Sequence, residues 1–147
     1  MPVAPRRKGF HSITPYLIVP GVAKLIEFLT SAFDAVEKER KIRPDGSNAI
    51  MHAELIIGDS YIMMGEPGPD FTPMPSSIYL YVDNCDEVYD KAIQAGAVSI
   101  MKPMNMPSGE RYGGVKDPSG NIWWVATHVE DVSAEEEERR FKAFFKQ

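Results

Sequence analysis

The sequence predicts an α+β fold made of two βαβββ modules and a C-terminal helix. Three observations lead there. A two-residue turn at Gly58-Asp59 and a turn signal at Asp117-Pro118-Ser119-Gly120 each separate runs of β-forming residues, marking two hairpins. Each hairpin is preceded by a strand and an apolar pattern of helical period. The segments TPYLIVPG (14–21) and SIYLYVDN (77–84) align at a spacing of 63 residues, a weak internal repeat.

Residues 1–12 are rich in proline and arginine and are expected to form a flexible tail. Ile13 to Val19 reads as a strand, with Pro15 implying an edge position or an unpaired N–H. Val22, Leu25, Ile26, Leu29 and Phe33 recur at helical spacing, which predicts a helix over 22–34. Strands are expected over 36–43, 49–57 and 60–65, completing a first module at 13–65. Residues 66–76, EPGPDFTPMPS, hold four prolines and form a linker. The second module, 77–129, repeats the order: a strand over 77–82, a helix over 86–95 followed by Gly96 as a C-terminal cap, a strand over 97–102, and the later hairpin. In the C-terminal segment, 130–147, Ser133 and Glu136 form a capping box. Glu135/Arg139 and Glu136/Arg140 stand at i,i+4, and Phe141, Phe144 and Phe145 make one apolar face that calls for burial on this subunit or a partner.

With 147 residues, the chain can bury one core or two small modules sharing one. Its net charge is −5 and its basic residues cluster only at Arg6-Arg7-Lys8, which disfavours nucleic acid as a partner. No apolar run reaches the length of a membrane span, and no apolar stretch behind the basic N-terminus suggests a secretory signal. The single cysteine, Cys85, excludes an internal disulfide and a CxxC zinc pair. The expectation is a cytoplasmic, reduced protein with no membrane association.

Alternation along the strands assigns side chains to faces. Counting outward from Gly58-Asp59, the first hairpin puts His52, Glu54, Ile56, Tyr61 and Met63 on one face. Ala53, Leu55, Ile57, Ile62 and Met64, all apolar, fall on the other, beneath a helix. For the later hairpin, a four-residue loop pairs Lys116 with Asn121, so that Arg111, Gly113, Val115, Ile122, Trp124 and Ala126 share a face. In the strands that lead into the helices, Thr14, Tyr16 and Ile18 oppose Ile13, Leu17 and Val19, while Ser77, Tyr79 and Tyr81 oppose Ile78, Leu80 and Val82. Tyr16, Tyr61, Tyr79, Tyr81 and Trp124 are therefore expected to line a concavity, with Met63 beside them and Arg111 at its mouth to take a carboxylate or phosphate. An aromatic wall either holds a flat ligand or fills the space itself.

His52 and Glu54, two apart on one strand, admit three readings. They are a general base with an acidic partner, two ligands of a displaced metal site, or a hydrogen-bonded histidine beside a rim carboxylate. His11 and His128 lie near strand ends. Cys85 opens a helix and has no neighbouring base to activate it.

The paired modules, the DPxGN turn, and the stretches ITPYLIVPG, MHAELIIGDSYIMMGE and RYGGVKDPSGNIWWVATH resemble the vicinal oxygen chelate superfamily of glyoxalases, bleomycin resistance proteins and dioxygenases. They are most similar to its phosphonate-operon-protein-B-like branch. The resemblance spans roughly 12–129. It implies that the modules join into a cup-shaped curved mixed sheet in a homodimer, and that a small molecule binds in the cup. Its enzymes hold a divalent metal at four places, which fall here on Thr14, Met63, Ser77 and Trp124. None is a ligand suited to such a metal. The resemblance thus implies a small-molecule-binding protein, for an aromatic or anionic ligand, with the usual metal site lost and no cofactor expected. The alternative is a metal-dependent lyase, isomerase or dioxygenase using a shifted set that includes His52 and Glu54.

Overall fold

A computed structural model describes residues 2–146. The first module comprises β1 (Tyr16–Ile18), α1 (Val22–Phe33), β2 (Val36–Ile42), β3 (Ile50–Ile57) and β4 (Ser60–Gly65). The second comprises β5 (Ser77–Tyr81), α2 (Cys85–Gln94), β6 (Val98–Asn105), β7 (Glu110–Lys116) and β8 (Ile122–His128); α3 (Ala134–Phe145) follows. The strands form two four-stranded mixed sheets, ordered β1-β4-β3-β2 and β5-β8-β7-β6. In each, the first strand runs parallel to the last, and the remaining pairs are antiparallel. A parallel partner cannot be reached by a tight turn, so each first strand is followed by a helical crossover.

The helices form because their apolar stripes have somewhere to go. α1 buries Val22, Leu25, Ile26, Phe28, Leu29, Ala32 and Phe33. Its first N–H groups are capped from far along the chain: the Glu66 carboxylate accepts from Gly21 N–H (3.2 Å) and Val22 N–H (2.8 Å). An acidic group there also suits the helix dipole. α2 is capped locally by Asn84, which accepts from Glu87 N–H, and Gly96 behind it takes the left-handed conformation that a C-terminal cap requires. The helix-facing sides of both sheets drain into one core, where Phe33 of α1 meets Trp123 of β8 with ring centroids 5.0 Å apart. Each sheet turns its other face away from this core.

Three expectations change. Ile13 is 87% exposed, and the first strand starts only at Tyr16, because Pro15 has no N–H to offer the ladder; its carbonyl still accepts from Met63 N–H. The strand expected to end at 102 runs on to Asn105 through Pro103, tolerated on an edge strand whose register shifts between Met101 and Met104. The third change is the later hairpin. Asp117 N–H donates to Asn121 O and Gly120 N–H to Asp117 O, so the loop holds three residues rather than four, with Gly120 left-handed at φ 96°. Lys116 consequently pairs with Ile122, Val115 with Trp123, and Gly114 with Trp124. A slip of one residue exchanges faces: Tyr112, Gly114 and Lys116, not Arg111, Gly113 and Val115, share the open face with Trp124.

α3 begins at the predicted Ser133 cap, which accepts from Glu136 N–H. Arg139 pairs with Glu136, not Glu135, and Arg140 bridges Glu136 and Glu130. No residue of α3 is buried, so its phenylalanine face is left uncovered by this single chain.

Candidate functional site

The open face of the first sheet carries a continuous polar chain. Cross-strand register sets Tyr16 beside Met63, Met63 beside Glu54, and Glu54 beside Glu39. His52, one alternation earlier on β3, bridges outward from that row. Its Nε2 lies 2.8 Å from Glu54 Oε2 and its Nδ1 lies 3.0 Å from Tyr16 Oη. Glu54 is only 4% exposed, so its carboxylate must be satisfied. Burial pushes its pKa up, but hydrogen bonds from His52 and Arg7 outweigh this and hold it below the ordinary value. A carboxylate at Oε2 assigns the imidazole proton to Nε2, leaving Nδ1 to accept the Tyr16 phenol proton. Burial, then the nearby Glu54 charge, raise the Tyr16 pKa. The arrangement is a hydrogen-bonded chain, Tyr16–His52–Glu54, with the phenol at its outer end.

Tyr16 is also in the wall of a cavity of about 720 Å³ lying between the open face and the proline-rich linker. Ile18, Met51, Gly65 and Phe71 supply its apolar lining, and Arg43, Asp45 and Asp70 its charge. Arg43 is braced by its Nη2, which donates to the carbonyls of Glu66 (3.1 Å) and Pro67 (2.9 Å). Size and mixed lining match those of a small-molecule pocket. The linker, read in the sequence as a connector, is one wall of it.

The second open face is aromatic. Tyr79 stands edge-on to Tyr81 (5.2 Å) and Tyr112 (5.7 Å), and Tyr112 edge-on to Trp124 (5.9 Å). Gly114 makes this possible, since a Cβ there would come 2.6 Å from Trp124 Cζ3. Tyr81 Oη donates to Glu110 Oε1 (2.7 Å), and His128 bridges Glu110 and Asp131. Burial, followed by the Glu110 charge, lifts the Tyr79 phenol to about 12.

The structure therefore gathers Tyr16, His52, Glu54, Tyr61 and Met63 on one sheet, and Tyr79, Tyr81 and Trp124 on the other. The groups approach at a groove between the β3–β4 turn and β5 that Tyr61, Tyr79 and Tyr81 border. Arg111 belongs to neither. Its guanidinium is held by Asp86 at the start of α2 (Nε–Oδ2 2.8 Å, Nη2–Oδ1 2.9 Å) and by Asn105 (3.2 Å). Tyr112 was missed because the register was taken one residue off. Glu39 was missed because β2 is bulged between Glu37 and Glu39, which hides its face from simple alternation.

The residues at the four superfamily metal places do not suit a metal. Thr14 Oγ1 donates to His11 O (3.3 Å), Ser77 Oγ accepts from Trp124 Nε1–H (2.9 Å), and Met63 offers a thioether. A different group comes closer to a ligand set: one donor atom each from Glu39, His52 and Glu54 lie within 4.8 Å of one another.

Residues 9–125 match the family model of the glyoxalase/bleomycin resistance protein/dioxygenase superfamily. The chain belongs to this superfamily. An uncharacterized protein of Mycobacterium bovis is 33% identical over 136 residues, covering 85% of this chain and 88% of the relative. One from Mycobacterium tuberculosis strain H37Rv has the same identity over 79% of its length. Among solved structures, TioX from Micromonospora sp. ML1 superposes with a TM-score of 0.68 at 22% identity, covering 81% of this chain and 99% of TioX. Protein PA1353 from Pseudomonas aeruginosa superposes at 0.65 and 20%, covering 82% and 99%. At these identities the structures establish the fold, and the superfamily hosts several chemistries on it. Among the described residues, no helix is long and apolar enough to cross a membrane.

Proposed function

We propose that this chain is a cytoplasmic small-molecule-binding member of the superfamily, working without the usual metal and holding an aromatic or anionic ligand beneath the linker. The observation that carries this reading is the cavity of about 720 Å³, with Phe71 and Met51 to face a ring, Arg43 to meet an anionic group, and the Tyr16 phenol as a fixed hydrogen-bonding point. The motif likeness of the sequence supports placement in the phosphonate-operon-protein-B-like branch, and a Bacillus cereus protein described as a PhnB protein shares the fold (TM-score 0.61, 20% identity, covering 80% of this chain and 99% of that protein). Two open sheet faces and an uncovered α3 favour a homodimer, in which the polar face of one module meets the aromatic face of another. Light scattering at working concentration tests that, and a monomeric mass counts against it.

For ligand binding, the measurement is calorimetric titration with aromatic carboxylates, α-keto acids and phosphonates, on the natural chain and on Met51→Trp. The larger indole projects into the cavity and narrows it, so binding that survives it unchanged would sink the proposal.

The Glu39/His52/Glu54 group favours a second reading, a metal-dependent lyase, isomerase or dioxygenase with a shifted site. Titration of the purified protein with Zn²⁺, Mn²⁺ and Ni²⁺ separates the two. One equivalent bound, and lost in His52→Ala, selects the second; no binding of any of them selects the first.

A further inference from the structure

The N-terminal segment, expected to be a flexible tail, is laid across the first open face. The Phe10 ring lies flat on Tyr61, with centroids 3.8 Å apart and planes 13° from parallel. The Arg7 guanidinium covers the other side of Phe10 at 4.3 Å and reaches down to Glu54 Oε2 at 2.7 Å. The fold of the segment fits this seat. Phe10 N–H donates to Arg7 O, Arg6 Nη1 donates to Ser12 Oγ (3.0 Å), and His11 Nε2 lies 3.3 Å from Asp59 O. Gly9 makes the turn at φ 89°, a conformation that side chains resist, and a Cβ there would also press on Tyr61 Cε2 at 3.3 Å.

The two partners of the ion pair differ in kind. The Glu54 side chain is 6% exposed and braced by His52, whereas that of Arg7 is 59% exposed at the end of a segment with few anchors. The carboxylate and the Tyr61 ring belong to the sheet; their occupant belongs to a segment outside it. We infer that Tyr61 and Glu54 form a recognition site for a cation that carries a flat aromatic ring, and that residues 7–10 are its built-in occupant, displaced when such a ligand binds. The phenyl ring and guanidinium already seated there show the two chemical features the site takes: a flat ring on Tyr61, and a positive nitrogen at Glu54. Competition from a tethered segment sets a threshold, because the ligand must outcompete a group held at high effective concentration. The site is distinct from the cavity beneath the linker, which neither Tyr61 nor Glu54 lines.

The probe is 2-phenylethylammonium, with phenylacetate as the control of equal ring and opposite charge. In the full chain, stacking shifts the Phe10 ring proton resonances upfield, and saturation with the probe should return them to unstacked positions. Calorimetry should show at least tenfold tighter binding of the probe to Arg7→Ala/Phe10→Ala than to the natural chain. Adding Glu54→Gln or Tyr61→Ala should cancel that gain, with thermal melts confirming that each variant is folded. Equal affinity of the natural chain and the double variant, phenylacetate releasing the Phe10 resonances as fully as the amine, or Phe10 resonances unmoved at saturation with the amine would each overturn the proposal. Met51→Trp leaves all of these readouts in place, so failure of the linker-cavity reading is seen separately.

Discussion

The two modules share one backbone plan and present opposite chemistries on it. Register makes the equivalences explicit: Tyr16–Met63–Glu54 in the first sheet corresponds to Tyr79–Trp124–Gly114 in the second, and His52 to Tyr112. Only the tyrosine is kept. In the first module its phenol is hydrogen-bonded to His52, which in turn meets the buried Glu54 carboxylate. In the second, an indole replaces Met63, a glycine replaces Glu54 to make room for it, and the tyrosine packs edge-on in an aromatic cluster. A single row of side chains therefore decides whether the same curved sheet offers charge or a stacking surface.

The two hairpin turns are the first place to break the comparison. The first module turns through Gly58-Asp59 with only exposed side-chain contacts, Ser60 Oγ to Asp59 Oδ1 (2.7 Å) and His11 Nε2 to Asp59 O (3.3 Å), whereas the second depends on the buried Asp117. That buried carboxylate accepts from Ser119 N–H, Asn121 N–H, Asn121 Nδ2 and Trp123 Nε1–H, at 2.8–3.0 Å. Asp117→Ala strands all four donors in a closed site, and the expected loss is roughly 3–5 kcal/mol in urea unfolding. A loss near that of an exposed Asp59→Ala, within about 0.5 kcal/mol of zero, would show that the register is set elsewhere.

Glu54→Ala attacks the corresponding support in the first module. It leaves the half-buried His52 Nε2 without its partner and frees Arg7, for an expected cost of about 1–3 kcal/mol. Gly114→Ala tests the aromatic side. Its Cβ would overlap Trp124, so the indole must move off Gly114, at about 1–3 kcal/mol and with a changed tryptophan emission. Substitutions that cost both faces equally would erase the distinction drawn here.

How much of this difference was readable follows from where the constraint lies. The first hairpin has a two-residue turn and five unbroken pairs, so alternation alone placed His52, Glu54, Tyr61 and Met63 together. In the later hairpin the loop length depends on which side chain closes it, and with the Asp117 carboxylate closing it the loop is one residue shorter than the turn signal suggests. That hid Tyr112 and misplaced Arg111. Glu39 lies behind a bulge and a longer connection. The seat of Arg7 and Phe10 is a contact across 47 residues for the ion pair, of a kind that local pattern does not encode. The superfamily fold was legible throughout because helix period, turn chemistry and repeat all agreed.

The smallest expected effects concern the charge each face keeps at its edge. Glu54 has a lowered pKa, so the stability it contributes is complete above the unfolded carboxylate value and fades as pH falls through the lower folded one. His128, on the second module, behaves in the opposite sense. Asp131 first and Glu110 next raise its pKa above the ordinary imidazole value. Its contribution is complete below the unfolded value and is lost as pH rises through the higher folded one. A proton NMR titration should show His128 titrating above the ordinary value, and Asp131→Asn, which removes the stronger of the two hydrogen-bonding carboxylates, should bring it down. A His128 midpoint unmoved by Asp131→Asn would mean that Glu110 alone holds the ring, and that the aromatic face has its own carboxylate–histidine pair to set against Glu54 and His52.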